Sequence, residues 1–211
     1  MNRIPLSTTL KIGLIICSTR SPRIGPDIAS WIYTSISSST TSSISLTTID
    51  LQGFPLPISP CSMPIPAKQP LPLSPNAYGL ESVNKWSKQI QKYSGFIFST
   101  PQYNWSFPAV IKCAIDHLYH EWLGKPALIV SYGARGGEKA NRALRQVLNG
   151  VRMSDWEAIV QLPTRAGGAE SSDRNTLDAA VLKAWEELSK KEELLARLRE
   201  LVEQAKTRAA F

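Results

Sequence analysis

The sequence predicts a doubly wound α/β fold: a parallel sheet covered by helices on both faces. Three observations predict it. Five short apolar runs recur along the chain, at 11–17, 44–49, 95–101, 127–131 and 158–162. Segments with helical spacing follow the first, third and fourth runs and precede the third, as in strand–crossover–strand units. The first, third and fourth runs empty into loops rich in Gly, Pro, hydroxyl and amide groups, and sheets of this class gather ligands at the carboxyl ends of their strands.

Residues 11–17 end in a polar loop and read as a buried strand. A helix follows from about Pro26, since proline suits a first turn, with Ala29, Trp31, Ile32 and Ile36 at mixed helical spacing. Twelve of the fifteen residues at 34–48 are Ser or Thr, so the middle of that stretch reads as an exposed link, and 44–49 alternates like a second strand. Eight prolines fall in 55–75, an extended segment that is either a surface loop or a flap beside a site. Val83, Trp86 and Ile90 predict a helix over 80–93. The third strand is 95–101, a helix spans 108–121, the fourth strand is 127–131, a helix spans 137–150, and the fifth strand is 158–162. Residues 176–207 read as one helix carrying a near-heptad stripe of Leu177, Val181, Leu188, Leu195, Leu198 and Val202. It packs either on the domain, placed at 9–170, or on a partner.

Composition bounds the function. With 211 residues, 43% apolar and 19% charged, the chain builds its own core and is not disordered. No run of about 18 apolar residues predicts a membrane span, and the start lacks the apolar core of a secretory signal. Cys17, Cys61 and Cys113 form no C-x-x-C and read as free thiols of a cytoplasmic protein. The net charge is +7, and the excess lies in 1–175, with seventeen basic against ten acidic residues. There is no polybasic run and no zinc spacing. The surface therefore reads as ordinarily basic, with a landing area for anionic cofactors as the alternative, rather than as a nucleic-acid site.

Each strand-end loop has its own chemistry. The first, 17–27, combines hydroxyls, Arg20, Arg23, Gly25 and a helix start, which suits a phosphate monoester. It matches neither a P-loop nor a dinucleotide fingerprint. The second, 101–108, alternates Tyr103, Trp105 and Phe107 with Gln102 and Asn104, as a flat heteroaromatic ligand with a polar edge requires. Trp105 and Phe107 read equally as core or interface. The third, 131–137, holds three glycines that let backbone approach a ligand.

Together these loops are similar to those of the NADPH-dependent FMN reductases of the flavodoxin-like class, which include fungal quinone reductases and azoreductase-like proteins. The resemblance rests on S-T-R-S-P-R-I-G-P-D-I at 18–28, P-Q-Y-N-W-S-F-P at 101–108 with I-K-C-A-I-D at 111–116, and K-P-A-L-I-V-S-Y-G-A-R-G-G at 125–137. It implies a five-stranded sheet in the order 2-1-3-4-5 with FMN at its carboxyl edge. Ser18, Arg20, Arg23, Ile24 and Gly25 match the phosphate loop; Pro101, Gln102, Tyr103 and Asn104 the loop beside the flavin ring; Ser131, Tyr132 and Gly133 the loop on its other side. Position 17 departs from the pattern, with Cys where many relatives have Gly, so a side chain is expected to crowd the start of the phosphate loop. The proline-rich segment and the C-terminal helix run longer than usual.

The resemblance further implies hydride transfer from NADPH or NADH to N5 of FMN, then to a quinone, flavin or azo acceptor, in ping-pong order. The cofactor carries that chemistry, so no catalytic side chain is assigned. A homodimer is implied, with neither membrane nor nucleic acid as partner. The alternatives are an FMN-binding redox sensor with little turnover, or a fold relative without FMN, which Cys17 raises. Lys112 and Asp116 read as an i, i+4 ion pair, His117 and His120 as helix-surface residues, Trp122 as packing and Cys113 as a small core residue. Arg135 and Arg142 read as solvated helix arginines, with the NADPH 2′-phosphate as their other reading.

Overall fold

The computed structural model describes residues 9–39, 44–58, 64–153, 158–166, 169–170 and 176–209. Cys61 and the middle of the Ser/Thr link, 40–43, lie outside the described residues. The elements run β1 (Leu10–Ile16), α1 (Gly25–Ser37), β2 (Ile44–Asp50), α2 (Glu81–Ile90), β3 (Gly95–Pro101), α3 (Ala109–Asp116), β4 (Ala127–Gly133), α4 (Glu138–Gly150) and β5 (Ile159–Pro163). A short hairpin, β6 (Arg165–Ala166) and β7 (Ala169–Glu170), precedes α5 (Ala179–Glu187) and α6 (Lys190–Ala209). The main sheet is wholly parallel in the order β2-β1-β3-β4-β5, as the resemblance implied.

Alternation along β1 explains the two cores. Leu10, Ile12, Leu14 and Ile16 face α1, α5 and α6, while Ile15 and Cys17 join the opposite core with α2, α3 and α4. β3 is buried along its whole length, as a central parallel strand requires. Register pairs Ile16 with Asp50, Ile16 with Ser99, and Pro101 with Tyr132. The loops after β1, β3 and β4 therefore leave the same edge of the sheet, beside the end of β2.

Three expectations are corrected. Residues 176–207 form two helices, not one: the chain breaks at Leu188–Ser189, where Ser189 takes a left-handed φ of 51°. The break turns Leu188 out to 55% exposure, and the buried stripe of α6 is Leu194, Leu198, Leu201, Val202 and Ala205. Both helices cover the chain's own sheet. Trp185 meets Trp31 edge-on at 4.9 Å and donates its indole N–H to the Pro163 carbonyl at 2.7 Å.

Second, the helix expected over 108–121 ends at Asp116. Third, the residues just beyond it are not surface groups. His117 is buried and donates Nε2–H to the Pro57 carbonyl at 2.8 Å; His120 donates to Gln69 O at 3.1 Å. The Cys113 thiol also donates to Pro57 O, at 3.3 Å, and is half-buried rather than a core residue. These bonds tie both ends of the proline-rich segment to the region of α3. The Lys112–Asp116 pair forms at 2.6 Å, and Trp122 is fully buried.

Candidate cofactor site

The phosphate-loop candidate begins at Cys17. Its N–H donates to Ser99 O at 2.9 Å, and its thiol is buried in the core shared with α2–α4. Burial pushes that thiol well above its ordinary pKa. The side chain thus points away from the loop, so Cys17 does not crowd it. Ser18 is also buried, and its hydroxyl bonds no group beyond the neighbouring Tyr132 hydroxyl among the described residues. α1 starts at Gly25 with Pro26 in its first turn and no side-chain cap, which leaves the first N–H groups for another acceptor.

Gly25 is required by close approach. A Cβ there would collide with Ser18 Oγ and lie 2.9 Å from the Tyr132 hydroxyl. That hydroxyl is the second buried oxygen of the cluster; it faces Ser18 and has no further partner among the described residues. Burial raises the Tyr132 phenol far above its usual range. Tyr103 is raised by burial too, partly offset by Arg20 and Arg23. Both phenols remain protonated donors at neutral pH.

The two arginines separate. Arg20 is exposed and stands over the Tyr103 ring, its guanidinium carbon 3.7 Å from the ring centroid. Arg23 turns to the end of β2, where it pairs with Asp50 at 2.6 Å and also donates to Gln52 Oε1 and the Ser18 carbonyl. The Asp50 hydrogen bond holds the Arg23 guanidinium above its ordinary pKa. Burial pushes Asp50 up, but the bonds from Arg23 and the Gln52 N–H outweigh it and hold its carboxyl below the usual range. Sequence reasoning missed Asp50 and Gln52. The available signal was an acid ending a strand on the ligand edge.

Gln102 joins the other two loops. Its N–H donates to Tyr132 O at 2.9 Å, and its Oε1 accepts from the Lys139 and Ala140 N–H groups at 2.9 and 3.4 Å. It therefore caps α4 from across the sheet edge. Tyr103 and Ser106 exchange both backbone bonds, at 2.8 and 2.9 Å, around a tight turn. Asn104 (φ 45°) and Trp105 (φ 66°) form its left-handed centre. Asn tolerates this conformation; for Trp it costs on the order of 1 kcal/mol. Trp105 is 75% exposed, so it is no core residue, whereas Phe107 packs half-buried on the α2–α4 core.

In the third loop Ser131 Oγ donates to Gly136 O at 2.8 Å. A Cβ at Gly137 (φ 78°) would approach the Tyr132 carbonyl to 2.9 Å. Gly133 ends β4 half-buried, Pro101 ends β3 buried, and Ile24 precedes α1 half-buried. Between the second and third loops opens a cleft of about 480 Å³ lined by Gln102, Trp105, Ala134, Arg135, Glu138 and Lys139. Arg135 lies in the loop, not on a helix, whereas Arg142 sits on α4 and pairs with Glu138 at 2.9 Å. Among the described residues there is no cluster of His, Cys, Asp or Glu suited to a metal, and no helix long and apolar enough to cross a membrane.

Comparison with known proteins gives the family. Residues 10–166 match the model of the NADPH-dependent FMN reductase family. The chain is 40% identical over 149 residues to the NAD(P)H-dependent FMN reductase of Saccharomyces cerevisiae, spanning 69% of this chain and 76% of that one. It is 37% identical over 199 residues to an NAD(P)H-dependent FMN reductase of Nectria sp, spanning 92% and 96%. In fold it is similar to the flavoenzyme NAD(P)H:(acceptor) oxidoreductase of Paracoccus denitrificans, with a TM-score of 0.61 at 19% identity over 92% and 98% of the two chains. The chain therefore belongs to the NADPH-dependent FMN reductase family and is an FMN-dependent NAD(P)H oxidoreductase.

Proposed function

We propose that FMN is held across the three loops of the carboxyl edge. The observation that carries this reading is the cradle at Gly25, where the buried Ser18 and Tyr132 hydroxyls, with no partner beyond each other among the described residues, meet an uncapped helix start. Those groups fit a phosphate monoester: two hydroxyls and free helix N–H groups that can donate, with the cation Arg20 on the exposed rim. Ser18, Arg20 and the backbone of Ile24–Gly25 would hold the phosphate. Pro101, Gln102, Tyr103 and Asn104 on one side, and Ser131, Tyr132 and Gly133 on the other, would hold the ring. Arg23 is a positioning residue, because its guanidinium is committed to Asp50 and Gln52.

The chemistry FMN supplies when bound is acceptance of a hydride from NAD(P)H and its return to a second substrate. The side chains of this edge bind and orient rather than react. Tyr103 and Tyr132, protonated at neutral pH, donate without carrying charge. The acceptor is a small molecule; a quinone, flavin or azo compound fits a flat open site. The acceptor would follow the oxidised nicotinamide into one site, in ping-pong order. A homodimer in the cytoplasm completes the reading.

An anaerobic visible spectrum of the purified protein tests it. A flavin band that bleaches on addition of NADPH and returns with a quinone is expected. Arg20→Ala should weaken FMN binding at least about tenfold, the scale of a lost charge-assisted bond. No flavin band even after FMN is added would overturn the cofactor site.

A further inference from the structure

We propose that the amino edge of the sheet, opposite the three ligand loops, carries a separate anion site, centred on Gly124, that takes the phosphate group of a soluble molecule. Gly124 and Lys125 precede β4, and Ile90 ends α2 ahead of β3, so this cluster lies a strand's length from the Gly25 cradle. Three cations meet there. The Arg208 guanidinium, from the last turn of α6, stands 3.1–3.3 Å from where a Cβ on Gly124 would be, in the space a side chain would take. Arg152 accepts the Gly124 N–H on its carbonyl at 2.7 Å and is exposed, on a left-handed backbone with φ 57°. Lys125 is half-buried; its Nζ donates to the Ile90 carbonyl at 2.9 Å and lies 5.5 Å from the Phe96 ring centroid. Two of its three N–H donors remain for a ligand.

Gathering like charges is costly, and these three cations have no ion-pair partner among the described residues. The charged groups facing Lys125 are Arg208 and one carboxylate, Glu121, which is buried and already accepts from the Tyr78 and Ser87 hydroxyls. Burial and then Arg208 hold the Lys125 ammonium down to about 8, and an anion between the two side chains would push it back up. Three cations against one carboxylate leave a surplus of two, the charge of a phosphate dianion. Guanidinium groups meet phosphate oxygens in pairs, and an ammonium adds a point charge beneath them. The N–H groups of Gly124 and Lys125 are taken by the carbonyls of Arg152 and Trp122, so the side chains hold the ligand. Lys11 and Lys92, exposed beside the starts of β1 and β3, extend the positive field that draws an anion to this edge.

The test is calorimetric titration of the full chain with inorganic phosphate at low ionic strength, with FMN added in excess to occupy the Gly25 cradle. The unaltered protein should bind phosphate, with an affinity that falls as sodium chloride is raised. Arg152→Gln with Arg208→Gln, both at exposed positions, should weaken binding at least about tenfold while circular dichroism stays native. Lys85→Gln, which removes an exposed charge on α2, should stay within about twofold of the unaltered protein. Sulfate, whose charge is fixed between pH 7 and 9, reads the role of Lys125: its affinity should fall by up to about tenfold over that range as the ammonium loses its proton, and Lys125→Met should remove the fall. No phosphate binding by the unaltered protein, binding that survives the double substitution, or sulfate affinity that is level from pH 7 to 9 overturns the site. Flotation with phosphatidylcholine–phosphatidylserine vesicles is the second arm; vesicle binding without a response to free phosphate overturns the soluble ligand.

Discussion

Gly25→Ala sets two effects of opposite sign against each other. Alanine inside a helix is worth about 1 kcal/mol over glycine, an upper bound at Gly25, the first residue of α1, and Gly25 has no positive φ to forbid it. Propensity alone therefore predicts a more stable protein. The added methyl, however, would collide with Ser18 Oγ, lie 2.9 Å from the Tyr132 hydroxyl and 3.3 Å from Ile16 Cγ2. All three neighbours are buried, so relief requires moving the loop, the phenol or the helix start. Overpacking of this severity falls in the upper part of a range of about 1–3 kcal/mol. The net expectation is a loss of about 1–2 kcal/mol, or a fall of roughly 2–8 °C in Tm for a chain of this size. FMN affinity, followed by quenching of flavin fluorescence, should drop at least about tenfold, since the methyl fills the proposed phosphate cradle. Gly150→Ala is the control: nothing lies within 4 Å of its Cβ, so it should be neutral or slightly stabilising. A Gly25→Ala protein with an unchanged or raised urea midpoint and unaltered FMN affinity would refute the packing argument and the cradle with it.

Three further outcomes are expected. Asp50→Asn should cost about 0.5–1 kcal/mol at neutral pH, allowing for the partial exposure of the pair. A carboxylate with a depressed folded pKa stabilises above its unfolded value near 3.9, so the gap between the two urea midpoints should close as pH falls from about 5 to 3. Burial, then Arg208, hold Lys125 down to about 8, with Glu121 partly opposing. Between that value and about 10.4 the unfolded chain binds more protons, so stability rises with pH, by up to about 2–3 kcal/mol; Lys125→Met should flatten that rise in urea titrations at pH 7 and 10. Leu198→Ala, deep in the α6 contact with the sheet, should cost about 2–4 kcal/mol in chemical unfolding without changing FMN affinity.

What could be read from the chain tracks the range of the interaction. Apolar runs such as 95–101 carry their burial in their own composition, so all five strands were legible. The ligand edge was legible because each loop directly follows a strand. The Arg23–Asp50 pair was not, because its partners stand 27 residues apart and meet only through the β1–β2 register. The partners of His117 and His120 are carbonyls 60 and 51 residues away, and a carbonyl leaves no mark on a side-chain pattern. The α5–α6 break carries neither Gly nor Pro; Ser189 adopts its left-handed angle because both flanking helices bury apolar faces against one sheet. A stripe counted at seven-residue intervals passed straight through that turn and chose Leu188 and Leu195 over Leu194 and Leu201.

The double attachment of Gln102 bears on how this edge can be recombined. One end of the residue is stitched to β4 and the other crowns α4, so the second loop, the fourth strand and the start of the following helix constitute one inheritable cassette. A chimera that imports only the 101–106 loop from a relative would sever that stitch unless the donor also carries an amide at the matching position. Exchange of 101–140 as a block keeps both ends of the stitch within the transplanted piece. Laboratory shuffling of this edge should therefore yield folded hybrids at crossovers outside the block and few within it.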